Sequence, residues 1–153
     1  MTGGPRPRID GHDGSIRVRP AGTFDAKQGL PYYLGISRET AGACGLSLNV
    51  VLVPPGGKAE PHSHSAFESA LYVLSGRAIH HCGARLEHAI ETVAGDFLFI
   101  APGVPHYPEN ASATEPVVAL VARDDPDEQE HVILYQPPPI SYQPPPADIA
   151  FSC

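Results

Sequence analysis

Two histidine-bearing segments constrain the fold of this chain more than any other feature. Residues 56–68 read GGKAEPHSHSAFE, and residues 95–106 read GDFLFIAPGVPH. Because successive side chains of a strand point to opposite faces, His62 and His64 share one face, roughly 6–7 Å apart at a rise of about 3.3 Å per residue. Two imidazoles at that spacing suit one metal ion, bound at a typical Zn–N distance of about 2.0–2.1 Å. His106 lies far along the chain, and only a closed β-barrel would bring it beside the pair.

The spacing of these segments resembles the two signature motifs of the cupin superfamily. The motifs are G-x5-H-x-H-x(3,4)-E-x6-G and G-x5-P-x-G-x2-H-x3-N, and the second closes here at Asn110. The resemblance covers about residues 46–123 and implies an all-β, single-domain jelly-roll barrel. It also implies a metal site whose ligands are His62, His64, Glu68 and His106.

The chain departs from the first motif by one residue, because seven residues rather than six separate Glu68 from Gly76. Counting forward from His64 makes Glu68 the ligand, whereas counting back from Gly76 puts Ser69 in that position. A slip of one residue moves a side chain to the opposite face of a strand. A β-bulge must therefore absorb the extra residue if Glu68 is to bind the metal.

The rest of the sequence reads as short strands bounded by Gly, Pro or Asn, which is typical of a barrel or sandwich. We predict a flexible N-terminus over residues 1–15, the barrel over 16–135 and a proline-rich arm over 136–153. The segment 26–35 favours either a turn or a short helix. The motif YQPPP occurs twice in the tail, and triple proline cannot continue a sheet. The predicted strands cover residues 16–19, 46–53, 69–75, 77–82, 87–93, 97–101, 117–123 and 131–135.

Composition excludes several classes of protein. A net charge of −7 and the lack of a Lys/Arg cluster disfavour a nucleic-acid partner. No run approaches the 18 or so apolar residues of a membrane-spanning helix. The three cysteines show no C-x-x-C spacing, which argues against a cysteine zinc site, and reduced thiols favour a cytoplasmic location.

An ion bound by three histidines and one carboxylate keeps an open position for water or a small-molecule substrate. Such ligands suit one divalent transition metal, among them Zn, Fe, Mn and Ni, and the sequence does not choose between them. If Glu68 faces the barrel interior, Tyr72 shares its face and becomes a candidate proton donor. His80 and His81 lie on opposite faces of one strand, so only one can point inward, and His80 is a candidate base. Aromatic cavity walls are predicted from Phe67, Phe97 and Phe99.

Residues 68–77 and 95–106 also resemble a branch of single-domain bacterial cupins to which metal-dependent aromatic polyketide cyclases are similar. In that branch a histidine often precedes the glutamate and completes a four-histidine site, whereas here the position is Phe67. The resemblance implies a Lewis-acid metal enzyme of cyclase or isomerase type. A non-haem Fe(II) dioxygenase and a non-catalytic binding protein are the alternatives. We also expect a homodimer, in which Ile16 to Arg19 and the proline arm cover a barrel edge across a two-fold axis.

Overall fold

The computed structural model describes residues 4–139 of the chain. Within that range two short helical turns, at Arg38–Ala41 and Glu128–His131, accompany thirteen strands. The strands are β1 Arg8–His12, β2 Ser15–Arg19, β3 Thr23–Asp25, β4 Pro31–Ile36, β5 Ser47–Val53, β6 His62–His64, β7 Ser69–Ser75, β8 Arg77–Cys82, β9 His88–Val93, β10 Phe97–Ile100, β11 His106–Glu109, β12 Val117–Arg123 and β13 Val132–Leu134.

Two antiparallel sheets form the walls of the barrel. One sheet has six strands in the order β10-β7-β12-β5-β4-β3, and the other has five in the order β13-β6-β11-β8-β9. Strands β1 and β2 pair only with each other. The predicted all-β jelly-roll fold is confirmed, and β6 and β11 lie side by side in the smaller sheet.

Strict alternation of side chains builds the core between the sheets. In β5 and β12, every second residue is buried, beginning with the first. The inward valines include Val51, Val53, Val117 and Val121. Each such side chain contributes about 1.5–3 kcal/mol when fully removed from water. The inward positions of β12 end at Arg123, which places a guanidinium at the end of an apolar row.

The structure contains strands near the N-terminus that the sequence prediction did not include. Residues 8–12, within the segment predicted to be flexible, form β1, which a tight turn at Asp13 and Gly14 joins to β2. Segment 26–35 contains a turn at Gly29, with φ of 83°, followed by most of β4. The first YQPPP motif begins at Tyr135, just beyond β13, and the second lies outside the described residues. Neither helical turn is long or apolar enough to span a membrane.

Candidate metal centre

Three histidines meet at the junction of β6 and β11. The two strands are antiparallel, and His106 stands directly opposite His62. His64 lies two residues further along β6, on the same face. The ring centroids are 4.4 Å apart for His62 and His106, and 5.2 Å apart for His64 and His106. All three are buried, and one nitrogen of each lies within 4.8 Å of the others, so the group could hold one metal ion.

Backbone carbonyls set the tautomers of two of these rings. Nδ1 of His62 lies 2.7 Å from the carbonyl oxygen of Glu60, and Nδ1 of His106 lies 2.8 Å from that of Val104. Because a carbonyl oxygen only accepts hydrogen bonds, Nδ1 carries the proton in both neutral rings. The lone pair is then on Nε2, as a metal ligand requires.

His64 has no hydrogen-bond partner for either ring nitrogen among the described residues, although both nitrogens are buried. Its ring packs against Phe67, with 4.6 Å between the centroids. An unsatisfied buried polar group costs about 1–3 kcal/mol, which a metal–nitrogen bond would offset. The buried, unpartnered nitrogen and the set of three imidazoles both fit a divalent transition metal.

Burial keeps the three rings neutral near pH 7. It lowers the pKa of His62 to about 4, that of His106 to about 3 and that of His64 to about 2, and the positive charge of Arg123 adds to each shift. Since a metal competes with protons for imidazole nitrogen, neutral rings are the form that binds.

His80 lies beside this group. The ring is buried, its centroid is 5.3 Å from that of His106, and burial lowers its pKa to about 4. The next residue, His81, points to the other face, where it stacks on Tyr107 and lies 2.8 Å from the Glu109 carboxylate. Of the two adjacent histidines, the structure places His80 at the cavity, and its catalytic role stays a prediction.

Glu68 is not brought to the histidines. Its side chain is exposed, whereas Ser69 is buried and accepts a hydrogen bond from Arg123 Nε at 3.2 Å. A register shift against β12 leaves Leu74 as the extra residue of β7. That bulge absorbs the extra residue but does not turn Glu68 inward, because Ser69 pairs with the inward-facing Arg123 and takes the inward position itself.

The same register turns other predicted site residues outward. Tyr72 lies on the outer face of β7, where its ring is 4.7 Å from that of Phe97. Phe97 is 81% exposed and Phe99 is 61% exposed, so neither forms a cavity wall. Phe67 is buried against His64 and is the one of the three predicted wall phenylalanines that reaches the site. A proton-donor role for Tyr72 in the cavity is inconsistent with this placement.

A cavity of about 60 Å³ lies between the sheets and includes His62, His80 and His106 in its wall. Most of the remaining wall is aliphatic. Four further polar side chains that no sequence motif indicated reach it: Gln28, Tyr32, Thr92 and Arg123. Inward alternation along β12 would have indicated Arg123, whereas Gln28 lies in a turn that carries no motif.

Comparison with known proteins identifies the family. Residues 49–123 match the family model of the cupin domain, and solved cupins share the fold, so the chain belongs to the cupin superfamily. One similar structure is the polyketide cyclase RemF of Streptomyces resistomycificus, with 26% identity and a TM-score of 0.60 over 73% of this chain and 74% of that one. A variant of the Bacillus subtilis oxalate decarboxylase OxdC has 28% identity and a TM-score of 0.56 over 65% and 27% of the two chains.

A curated relative is also similar in sequence. The probable oxalate decarboxylase of Arthroderma benhamiae is 30% identical over 122 residues, which are 78% of this chain and 26% of that protein. The present chain thus spans about a quarter of the length of that relative.

Proposed function

We propose that this protein is a metal-dependent enzyme that moves a proton at the carbon next to a carbonyl group of a small, oxygen-rich metabolite. The observation that carries the proposal is the group of buried histidines His62, His64 and His106, with a fourth histidine, His80, in the wall of the cavity that His62 and His106 also line. Both the polyketide cyclase relative and the oxalate decarboxylase relatives support an enzymatic cupin.

In this proposal His62, His64 and His106 hold one divalent ion, such as Zn, Fe, Mn or Ni. The ion supplies a Lewis acid that polarises the carbonyl oxygen and makes the adjacent C–H bond more acidic. His80 is neutral near pH 7 and accepts the proton from that carbon. Because burial lowers the pKa of His80, its protonated form readily returns the proton, as isomerisation and dehydration require.

The size of the cavity favours a compact substrate. Its volume is about 60 Å³, whereas a single ordered water needs at least about 10–15 Å³. A full polyketide chain is far larger than this space. Cyclisation shares the same proton abstraction, but isomerase or lyase chemistry on a short metabolite fits the cavity better.

The test is proton exchange in D2O, followed by NMR on short hydroxycarbonyl compounds with protein reconstituted with Zn or Mn. We expect metal-dependent loss of the signal of the proton next to the carbonyl. His80→Gln should abolish exchange while it keeps the metal, and the exposed His88→Gln serves as the matched control.

Two results would contradict the proposal. Turnover that requires Fe(II) and consumes oxygen would favour the dioxygenase alternative. Ligand binding without exchange in any metal form would favour a non-catalytic binding protein.

We also propose that the protein is a homodimer, which buries the outer face of the six-stranded sheet. Phe97 and Phe99 lie on its edge strand β10 and together expose roughly 300 Å² of aromatic surface. That area is more than a third of the roughly 800 Å² that each subunit of a stable dimer buries. Light scattering of Phe97→Asp at micromolar concentration should show a monomer, whereas a monomeric wild-type protein would refute the proposal.

A further inference from the structure

The cavity contains a buried hydrogen-bond acceptor that no group among residues 4–139, as far as they are described, satisfies. Gln28 is 1% exposed and lies in the wall of the cavity. Its Nε2 donates to Tyr32 Oη at 2.8 Å, but its Oε1 has no hydrogen-bond partner in the part of the chain that is described. Leaving such an acceptor unsatisfied costs about 1–3 kcal/mol, so its retention points to a ligand that donates to it.

The backbone around Gln28 fixes it next to the histidine group. The carbonyl of Gln28 accepts a hydrogen bond from Glu60 N at 2.8 Å, and the carbonyl of Glu60 accepts from His62 Nδ1 at 2.7 Å. The turn itself is closed by Gly29 N, which donates to Ala26 O at 2.8 Å. The backbone of Glu60 therefore contacts both Gln28 and His62, which holds the turn of Gln28 next to the histidine group.

Positive charge lies on the same side of the cavity. Arg123 is buried, and its Nη2 lies 3.4 Å from the Tyr32 hydroxyl that Gln28 also contacts. Its positive charge also helps to lower the pKa values of His62, His64 and His106. A small anion in the cavity would be attracted by this guanidinium, because charges interact strongly where water is excluded.

We propose that Gln28 and Arg123 form a specificity subsite for a short α-hydroxycarboxylate, whose hydroxyl group donates to Gln28 Oε1 and whose carboxylate faces Arg123. The small volume of the cavity, about 60 Å³, favours a short ligand of this class. The proposal deepens the function proposed above and rests on it for the identity of the reaction. The subsite itself makes a separate claim, which is selection of the hydroxyl group.

The experiment compares glycolate with acetate, which differ by that hydroxyl, in calorimetric titrations of the zinc-loaded protein. The variant is Gln28→Met, which keeps the size of the side chain and removes the acceptor, and the control is Gln136→Leu at an exposed position. Wild type and the control should prefer glycolate. The preference for glycolate is the dissociation constant of acetate divided by that of glycolate. In Gln28→Met we expect this ratio to fall by about tenfold to a hundredfold.

The outcomes separate the subsite from the metal chemistry. A preference for glycolate over acetate that remains in Gln28→Met is due to the metal. The part of the preference that is lost in this variant is due to Gln28. An unchanged ratio in Gln28→Met, or no binding of either acid to wild type, overturns the proposal. Zinc content and unfolding midpoint, measured on the same samples, should match wild type. Failure of proton exchange with the glycolate preference intact would refute the proposed reaction and leave the subsite standing.

Discussion

Acidification should destabilise the metal-free protein steeply, because four histidines are buried as neutral rings. Burial lowers the pKa of His62 and His80 to about 4, and those of His106 and His64 fall further. In the unfolded chain a histidine titrates near 6.5. Below that pH the unfolded state binds protons that the folded state does not. The stability is therefore complete above pH 6.5 and is lost as the pH falls toward 4.

The size of the effect follows from the two pKa values. At pH 5, one histidine whose pKa is about 6.5 unfolded and about 4 folded costs about 2 kcal/mol of unfolding free energy. Four such rings together remove an amount comparable with the whole stability of a typical domain, about 5–15 kcal/mol. We expect the metal-free protein to lose most of its stability between pH 6.5 and pH 5.

Urea unfolding followed by circular dichroism, at pH 7.5, 6 and 5 after chelation, measures this loss. Compared with its own stability at pH 7.5, His80→Gln should lose about 2 kcal/mol less than wild type by pH 5. The exposed His88→Gln should reproduce the wild-type loss. A metal-free wild-type protein that loses less than about 1 kcal/mol over this range would refute the reasoning.

Three further predictions concern single side chains. Asn110 donates to the Val53 and Glu115 carbonyls at 3.0 and 2.7 Å, so Asn110→Ala should lower the unfolding free energy by about 2–4 kcal/mol in urea. Glu68→Gln should leave metal affinity within about twofold, because its side chain is exposed; a loss of about 10–100-fold in a metal titration would restore it as a ligand. Gly76 and Gly95 both have positive φ, but only at Gly76 would a Cβ meet a backbone oxygen, at 2.4 Å. Gly76→Ala should therefore lower the midpoint of thermal unfolding markedly more than Gly95→Ala, and equal shifts would contradict the account.

The strands that could be predicted from sequence are those with a long periodic signal. Strands β5, β7 and β12 each have seven residues, most of them β-branched or aliphatic, and their bounds agree with the sequence prediction within one residue. Strands β6 and β11 have three and four residues, too few to show a period, and β11 contains Pro108. Their pairing depends on the closed barrel rather than on local preference.

The candidate site shows the same division between local and long-range information. The H-x-H spacing placed His62 and His64 on one face, and the motif frame added His106. The orientation of Glu68 depends on the pairing of Ser69 with Arg123 across β7 and β12, a long-range contact that the one extra residue before Gly76 does not reveal. No sequence pattern indicated that Gln28 lines the cavity, because it lies in a turn far from both motifs.

Metal content of purified variants tests the central claim most directly. Plasma emission spectrometry should find bound metal in wild type and in His88→Ala, and background levels in His62→Ala and His106→Ala, with circular dichroism showing that all four remain folded. The account predicts this loss because His62 and His106 each have an Nε2 lone pair free for a metal, and one nitrogen of each ring lies within 4.8 Å of the others in the group. Full retention of metal by a folded His106→Ala protein would contradict it.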